Sequence, residues 1–305
     1  VQGFASPSGT TSAFKLVEDT SNGNHILYNA QDGSSKTFSF FAKSLGNQYV
    51  AISYDGGASF NFFDIINGQL GNIADPSHTS KIEDYGNGWF RCSLYNGSAS
   101  FGATIWMSKD GINTSYAGNG TDGVYIYGAQ LEQQSYATSY IKNEGTAAGI
   151  TRAADTATGS GDATVINSTE GVFYAEISSF GNDGTTSKIT LNDSSSNNHV
   201  AISYSNVTNT IRCILYNGSV FGEITTNAYD ILSNHKIAYL YKSGDFKLYI
   251  DGSLVDTSND AFTISGLNNL SFDNGSSTSK FNGKVKDVRV YTTALEGSEL
   301  ETLTT

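Results

Sequence analysis

The side chains best able to do acid–base or metal chemistry are thinly spread along this 305-residue chain. Its four histidines, His25, His78, His199 and His235, stand far apart in Asn/Ser/Gly-rich or strand-edge contexts, and read as surface residues. No G-x-S-x-G, H-E-x-x-H or Walker loop is present, so no motif supports catalysis. Two carboxylates could still converge from separate strands, because retaining sugar hydrolysis needs only about 5 Å between them. The expectation is a protein that is not an enzyme.

Acidic loops suggest a different chemistry, since calcium takes several hard oxygen ligands. Asp122, in GNGTDG, and Glu132 are candidate ligands, with Asp19 and Asn22 as a second edge. Asp193, Asp273 and Asn274 offer the same in the second half. No EF-hand ladder exists, so solvated loop acids are the alternative reading. No cofactor is required, and structural calcium is the one that these acids suggest. Cys92 and Cys213 are too few for a disulfide scaffold and lack metal-ligand spacing.

Binding chemistry has more to work with. Sugar rings present apolar C–H faces, which exposed aromatics can cover while amides and carboxylates fix orientation. Trp106, Tyr54, Tyr85, Tyr116 and Trp89 are the candidates in the first half. Tyr229, Asn227, Tyr204, Tyr216, Phe221 and Asn217 are those of the second. Each aromatic has a packing alternative: Trp89 lies in the strand-like GNGWFR, Trp106 is closer to a loop, and the tyrosines sit in alternating segments. Asn-Gly-Ser triplets at Asn96, Asn217 and Asn274 read as turns.

The elements that must position these groups are strands. With 33 Gly, 2 Pro, 18 Tyr and 17 Phe against 15% charged residues, the composition is that of a glycine-turned, aromatic-rich β protein. Net charge is −12 and the 17 basic residues are scattered, which argues against nucleic acid or an anionic membrane surface. A neutral ligand, a cation or a basic protein surface remains. No apolar run approaches the ~18 residues of a spanning helix, so no membrane insertion is expected. The chain opens VQGFASPSG rather than with Met, as a trimmed chain or a piece of a larger one would.

Strand signals recur, bounded by Gly, Asn, Asp or Ser. FKLYIDGSLVDT (Phe246–Thr257) is the clearest hairpin, with Asp251-Gly252 suited to a type I′ turn. The end, TALEGSELETLTT, is the one short helix candidate. VYIYGAQL predicts a last strand of the first half with Tyr125, Tyr127, Ala129 and Leu131 on one face. Many short strands with such turns argue for two tandem antiparallel β-sandwiches with minimal helix. The expected domains are 1–145 and 165–305, joined by a small, polar linker at 146–164. The halves echo each other: VAISY occurs at Val50–Tyr54 and Val200–Tyr204, and FRCSLYNGS (Phe90–Ser98) answers IRCILYNGS (Ile211–Ser219). Each cysteine holds the same place in its copy, which favours two separate buried thiols.

The first half resembles a carbohydrate-binding-module-like jelly roll of bacteriophage tail and virion-surface proteins. The resemblance is carried by TFSFFAKS (Thr37–Ser44), GNGWFRCSL (Gly86–Leu94), GNGTDGVYIYGAQLE (Gly118–Glu132), TSYI (Thr138–Ile141) and TRAAD (Thr151–Asp155). The second half resembles the concanavalin A-like, laminin-G-like lectin/glucanase family through HKIAYLYKSGDFKLYIDGSLV (His235–Val255) and FNGKVKDVRVYTTALEGSEL (Phe281–Leu300). The E-x-D-x-x-E array of the glycosidases among such relatives is absent.

These resemblances imply a non-catalytic receptor-recognition protein of a phage tail fibre or spike, made in the host cytoplasm and displayed on the virion surface. Its expected partners are cell-surface polysaccharide or another glycan, other virion proteins, and copies of itself, a trimer being expected of a fibre. The alternatives are a capsid-decoration or head-fibre protein, and accessory modules of a polysaccharide-degrading enzyme. A shared fold does not choose among them.

Overall fold

The computed structural model describes residues 2–32, 36–97, 102–143, 149–150 and 161–305. The chain divides into two compact units, Val1–Arg152 and Ala153–Thr305. Most of the expected linker, 146–164, and all of TRAAD lie outside the described residues.

The first unit begins with β1 (Gln2–Phe4), β2 (Ala13–Val17), β3 (Asn22–Asn24), β4 (Ile26–Asp32), β5 (Lys36–Leu45) and β6 (Tyr49–Ser53). It continues with β7 (Asn61–Asp64), β8 (Gln69–Ile73), β9 (Thr79–Asp84), β10 (Phe90–Asn96), β11 (Gly102–Ser108), β12 (Ser115–Ala117) and β13 (Gly123–Glu132). One sheet runs β1-β2-β13-β5-β10-β9 and the facing one β4-β11-β6-β7-β8. Period-two alternation turns Phe38, Phe40 and Ala42 of β5 inward to meet Val50 and Ile52 of β6, and this closes the main core. Cys92 lies in that core as a free thiol, and burial raises its pKa.

The opposite faces are covered too. Phe41 and Trp89 collect Tyr125, Tyr127 and Tyr140 outside the six-stranded sheet. Trp106, Phe62 and Phe60 cluster outside the five-stranded one. The expected single face on β13 is broken. Tyr127 pairs with Phe41 but Gln130 with Ser39, so one extra residue is inserted at Gly128, whose φ is +59°. Such a bulge reverses the facing beyond it. Tyr125 and Tyr127 therefore join the outer cluster, while Leu131 packs on the main core.

The second unit contains β14 (Glu170–Ser179), β15 (Ser187–Asn192), β16 (His199–Tyr204), β17 (Ile211–Tyr216), β18 (Val220–Thr226) and β19 (His235–Lys242). After these come β20 (Phe246–Ile250), β21 (Ser253–Ser258), β22 (Asn269–Ser271), β23 (Gly283–Tyr291) and α1 (Gly297–Thr304). Its two antiparallel sheets run β21-β20-β19-β14-β23 and β18-β17-β16-β15-β22. The core between them takes Phe173, Ile202, Cys213, Tyr239, Phe246 and Ile250, with Val288 partly buried at its margin. Asp251 and Gly252 have φ of 49° and 77°, the pair of left-handed residues that a type I′ turn requires. Tyr249, on the opposite face of its hairpin, is buried with Tyr174 and Leu300 of α1. The helix starts with a capping box in which the Glu296 N–H donates to Glu299 Oε2 at 2.8 Å.

Each half is thus an antiparallel sandwich, as its alternation predicts. The echo between them is one of strand composition and not of position. In the second unit VAISY and IRCILY are neighbours, Val200 opposite Leu215. In the first, β6 and β10 lie in different sheets.

Candidate functional site

Placement corrects several expectations. Tyr54, at 1% exposure, is a core residue whose hydroxyl donates to the Leu94 carbonyl at 3.1 Å. Trp106 stands within β11 rather than a loop and is 6% exposed; its Nε1–H donates to Thr104 Oγ1 at 2.8 Å and Phe60 packs edge-on at 5.0 Å. Neither ring can stack on a ligand. Trp89 and Tyr204 are likewise buried. Tyr85 is 48% exposed, with Phe41 edge-on at 4.8 Å, and is an available platform. Tyr229 is half-buried against the core and His235, and Tyr216 rests on His199. Phe221 packs at the core margin, and Asn217 Nδ2 donates to the Thr263 carbonyl.

The histidines are not surface residues either. His25, His199 and His235 are buried. His25 Nε2 lies 3.2 Å from the Tyr116 carbonyl, and His235 is held between Asp251 Oδ2 at 2.6 Å and the Asp230 carbonyl at 2.8 Å. His78 is half-buried beside Asn96 Oδ1. His199 Nδ1 lies 3.1 Å from the Ser196 carbonyl, while its Nε2 is buried with no partner among the described residues.

The candidate calcium ligands are engaged in local turns. Asp19 caps Ser21, Asn22 lies in β3 opposite Ala117, and Glu132 accepts from the Thr138 N–H at 3.0 Å. Asp122 accepts from Asn119 Nδ2 at 2.7 Å and lies 3.7 Å from Lys109 Nζ. In the second unit Asp193 caps Ser195, Asp273 accepts from the Gly275 N–H, and Asn274 binds Thr278. Among the described residues no group of three or more His, Cys, Asp or Glu is arranged to hold a metal ion.

Beside Asp122 lies a polar knot that the sequence reading missed. The buried Glu18 carboxylate meets Lys109 Nζ at 2.9 Å, Tyr116 Oη at 2.9 Å and the Asn119 N–H at 2.8 Å. Burial pushes its pKa up, yet these donors outweigh it and hold the carboxyl below its usual range. Tyr116 also accepts from Asn47 Nδ2, so its hydroxyl ties the knot together.

An open recess lies on the outer face of β16–β18. Strand alternation sends Ile211, Cys213 and Ile224 into the core and leaves Arg212, Glu223 and Thr225 outside. Arg212 Nε donates to Glu223 Oε1 at 2.6 Å across the strand pair. Ser205, Asn206, Val207, Thr210, Thr226 and Asn227 complete an open depression of about 520 Å³. Of the residues expected to bind ligand, Asn227 alone lines it, and its carbonyl accepts from Asn209 Nδ2. Nothing local in the sequence marks Arg212, because its partner, Glu223, is eleven residues away and becomes a neighbour only through sheet pairing.

Residues 173–301 match the family model described as the concanavalin A-like lectin/glucanases superfamily, and form a domain of that concanavalin A-like, laminin-G-like kind. Similar solved structures include the carbohydrate-binding module CBM40 of the Ruminococcus gnavus IT-sialidase. It is 19% identical at a TM-score of 0.40, over 47% of this chain and 86% of that one. Domain 4 of an extracellular GH43 arabinanase from Geobacillus stearothermophilus, in complex with arabinotriose, is 16% identical at 0.38, over 47% and 70%. A heptameric pentraxin from Limulus polyphemus is 15% identical at 0.35, over 44% and 69%. No curated protein matches the chain.

Proposed function

We propose that this chain is a non-catalytic glycan-binding protein whose sugar site is the depression at Arg212 and Glu223. The observation that carries this reading is the ion pair itself. Glu223 pins the guanidinium at 2.6 Å beside the open recess, and the remaining walls are mainly amides and hydroxyls. Such fixed donors and acceptors match sugar hydroxyls without losing rotamer entropy on binding. Membership of residues 173–301 in a superfamily of lectins and glucanases is compatible with it. Titration of the protein against a broad glycan array, then calorimetry on the best ligand, is the test. Arg212→Ala should weaken binding at least about tenfold, the size of one lost charge-assisted hydrogen bond. A folded protein that binds nothing on the array refutes the proposal.

For the biological setting we propose display on a virion as part of a tail fibre or spike, in trimeric copies that raise avidity. The resemblance within residues 37–155 supports this setting. Antibody labelling of intact particles is the check, and label on the capsid would favour the decoration role instead. Structural calcium stays a proposal as well; added chelator should lower the melting temperature if it is bound.

A further inference from the structure

The outer face of β15–β18 gathers positive charge, although the chain carries a net charge of −12. Pairing register places Lys188, Ser203, Arg212 and Thr225 side by side on the four strands. Ser203, which stands between the two cations, is 3% exposed, and its hydroxyl donates to the Arg212 carbonyl at 2.6 Å. Lys280 joins them, bridged to Lys188 in parallel while the Lys188 N–H donates to the Ser279 carbonyl at 3.0 Å.

Glu223 neutralises Arg212 through Nε, which leaves the Nη edge of the guanidinium for other partners. Among the described residues neither Lys188 nor Lys280 is paired with a carboxylate. Burial, with a smaller contribution from the Arg212 charge, holds the Lys188 ammonium below the usual lysine range. His199, farther along β16, is kept neutral at pH 7 by burial and adds no charge. The row therefore holds three cations and one carboxylate.

We propose that the glycan taken by this face is an acidic one, its carboxylate held at the margin of the depression by the Nη edge of Arg212 with the Lys188 ammonium beside it. The neutral part of the saccharide then extends over the depression towards Asn206 and Asn227. This rests on the glycan-binding reading and names the substrate class for the same site. A carboxylate there replaces repulsion between two cations with two charge-assisted hydrogen bonds, and a neutral sugar cannot.

Calorimetry on the full chain would use oligomers of galacturonate, glucuronate and neuraminate, each against its carboxyl-reduced counterpart. The best acidic ligand should bind about tenfold tighter than its reduced form. That preference should fade as salt is raised through the range that screens exposed charges. Lys188→Met should remove the preference, and Lys280→Gln should cut it by a smaller factor. Retained binding of the reduced sugars shows that either variant still folds. Equal binding of acid and reduced forms overturns the acidic assignment and leaves the glycan reading standing. Failure of every sugar to bind overturns both.

Discussion

The hydroxyl of Tyr54, at the end of β6, reaches across the first sandwich and donates to the Leu94 carbonyl of β10 at 3.1 Å. Its counterpart in the repeated segment, Tyr204, is also buried, yet its hydroxyl has no hydrogen-bond partner among the described residues. The same five residues, VAISY, thus end in a bonded phenol once and an orphaned one once.

Opposite responses to one substitution follow. Tyr54→Phe should cost about 1 kcal/mol, because it removes a made hydrogen bond. Tyr204→Phe should be neutral or stabilise by up to about 1 kcal/mol, because it removes a desolvated group that bonds nothing. Both tryptophans, Trp89 and Trp106, lie in the first unit, so their fluorescence in urea reports Tyr54→Phe. Amide hydrogen exchange of β16 reports Tyr204→Phe. A loss above ~1 kcal/mol for Tyr204→Phe would reveal a partner for that hydroxyl.

Core position should grade the cost of truncation. Ile250 is fully buried between the sheets, and Ile250→Ala should cost about 3 kcal/mol. Val288 lies on the edge strand β23 and is only partly buried, so Val288→Ala should cost nearer 1 kcal/mol. Chemical denaturation followed by circular dichroism measures both. Equal losses would mean that the β23 edge is covered in solution.

Acid should weaken the second sandwich through His199. Burial, reinforced by the Lys188 charge, lowers its pKa from 6.5 to about 4. Between those values the unfolded chain binds a proton that the folded one refuses, so stability rises with pH. The contribution is complete above pH 6.5, is lost as pH falls towards 4, and is constant below that. Its full size is on the order of 3 kcal/mol. His199→Gln should flatten this part of the profile, measured as β16 exchange protection between pH 7 and 4. An unchanged slope in that variant would assign the acid sensitivity to other groups.

Much of this protein follows from local chemistry. Alternation in KTFSFFAKS and HVAISY, the Asp251-Gly252 turn, the short closing helix and the two buried thiols need only a strand's period of two and the steric demands of a turn. These properties act over a few residues and are written in consecutive letters. What the chain could not show by itself is which strands become neighbours. Sheet pairing joins β16 to β17 but sends β6 and β10 to different sheets, bulges β13 at Gly128, and encloses Trp106 and three histidines. The same non-local pairing brings Lys188, Arg212 and Glu223 onto one face, because contacts between distant residues are selected by the packing of the whole sandwich.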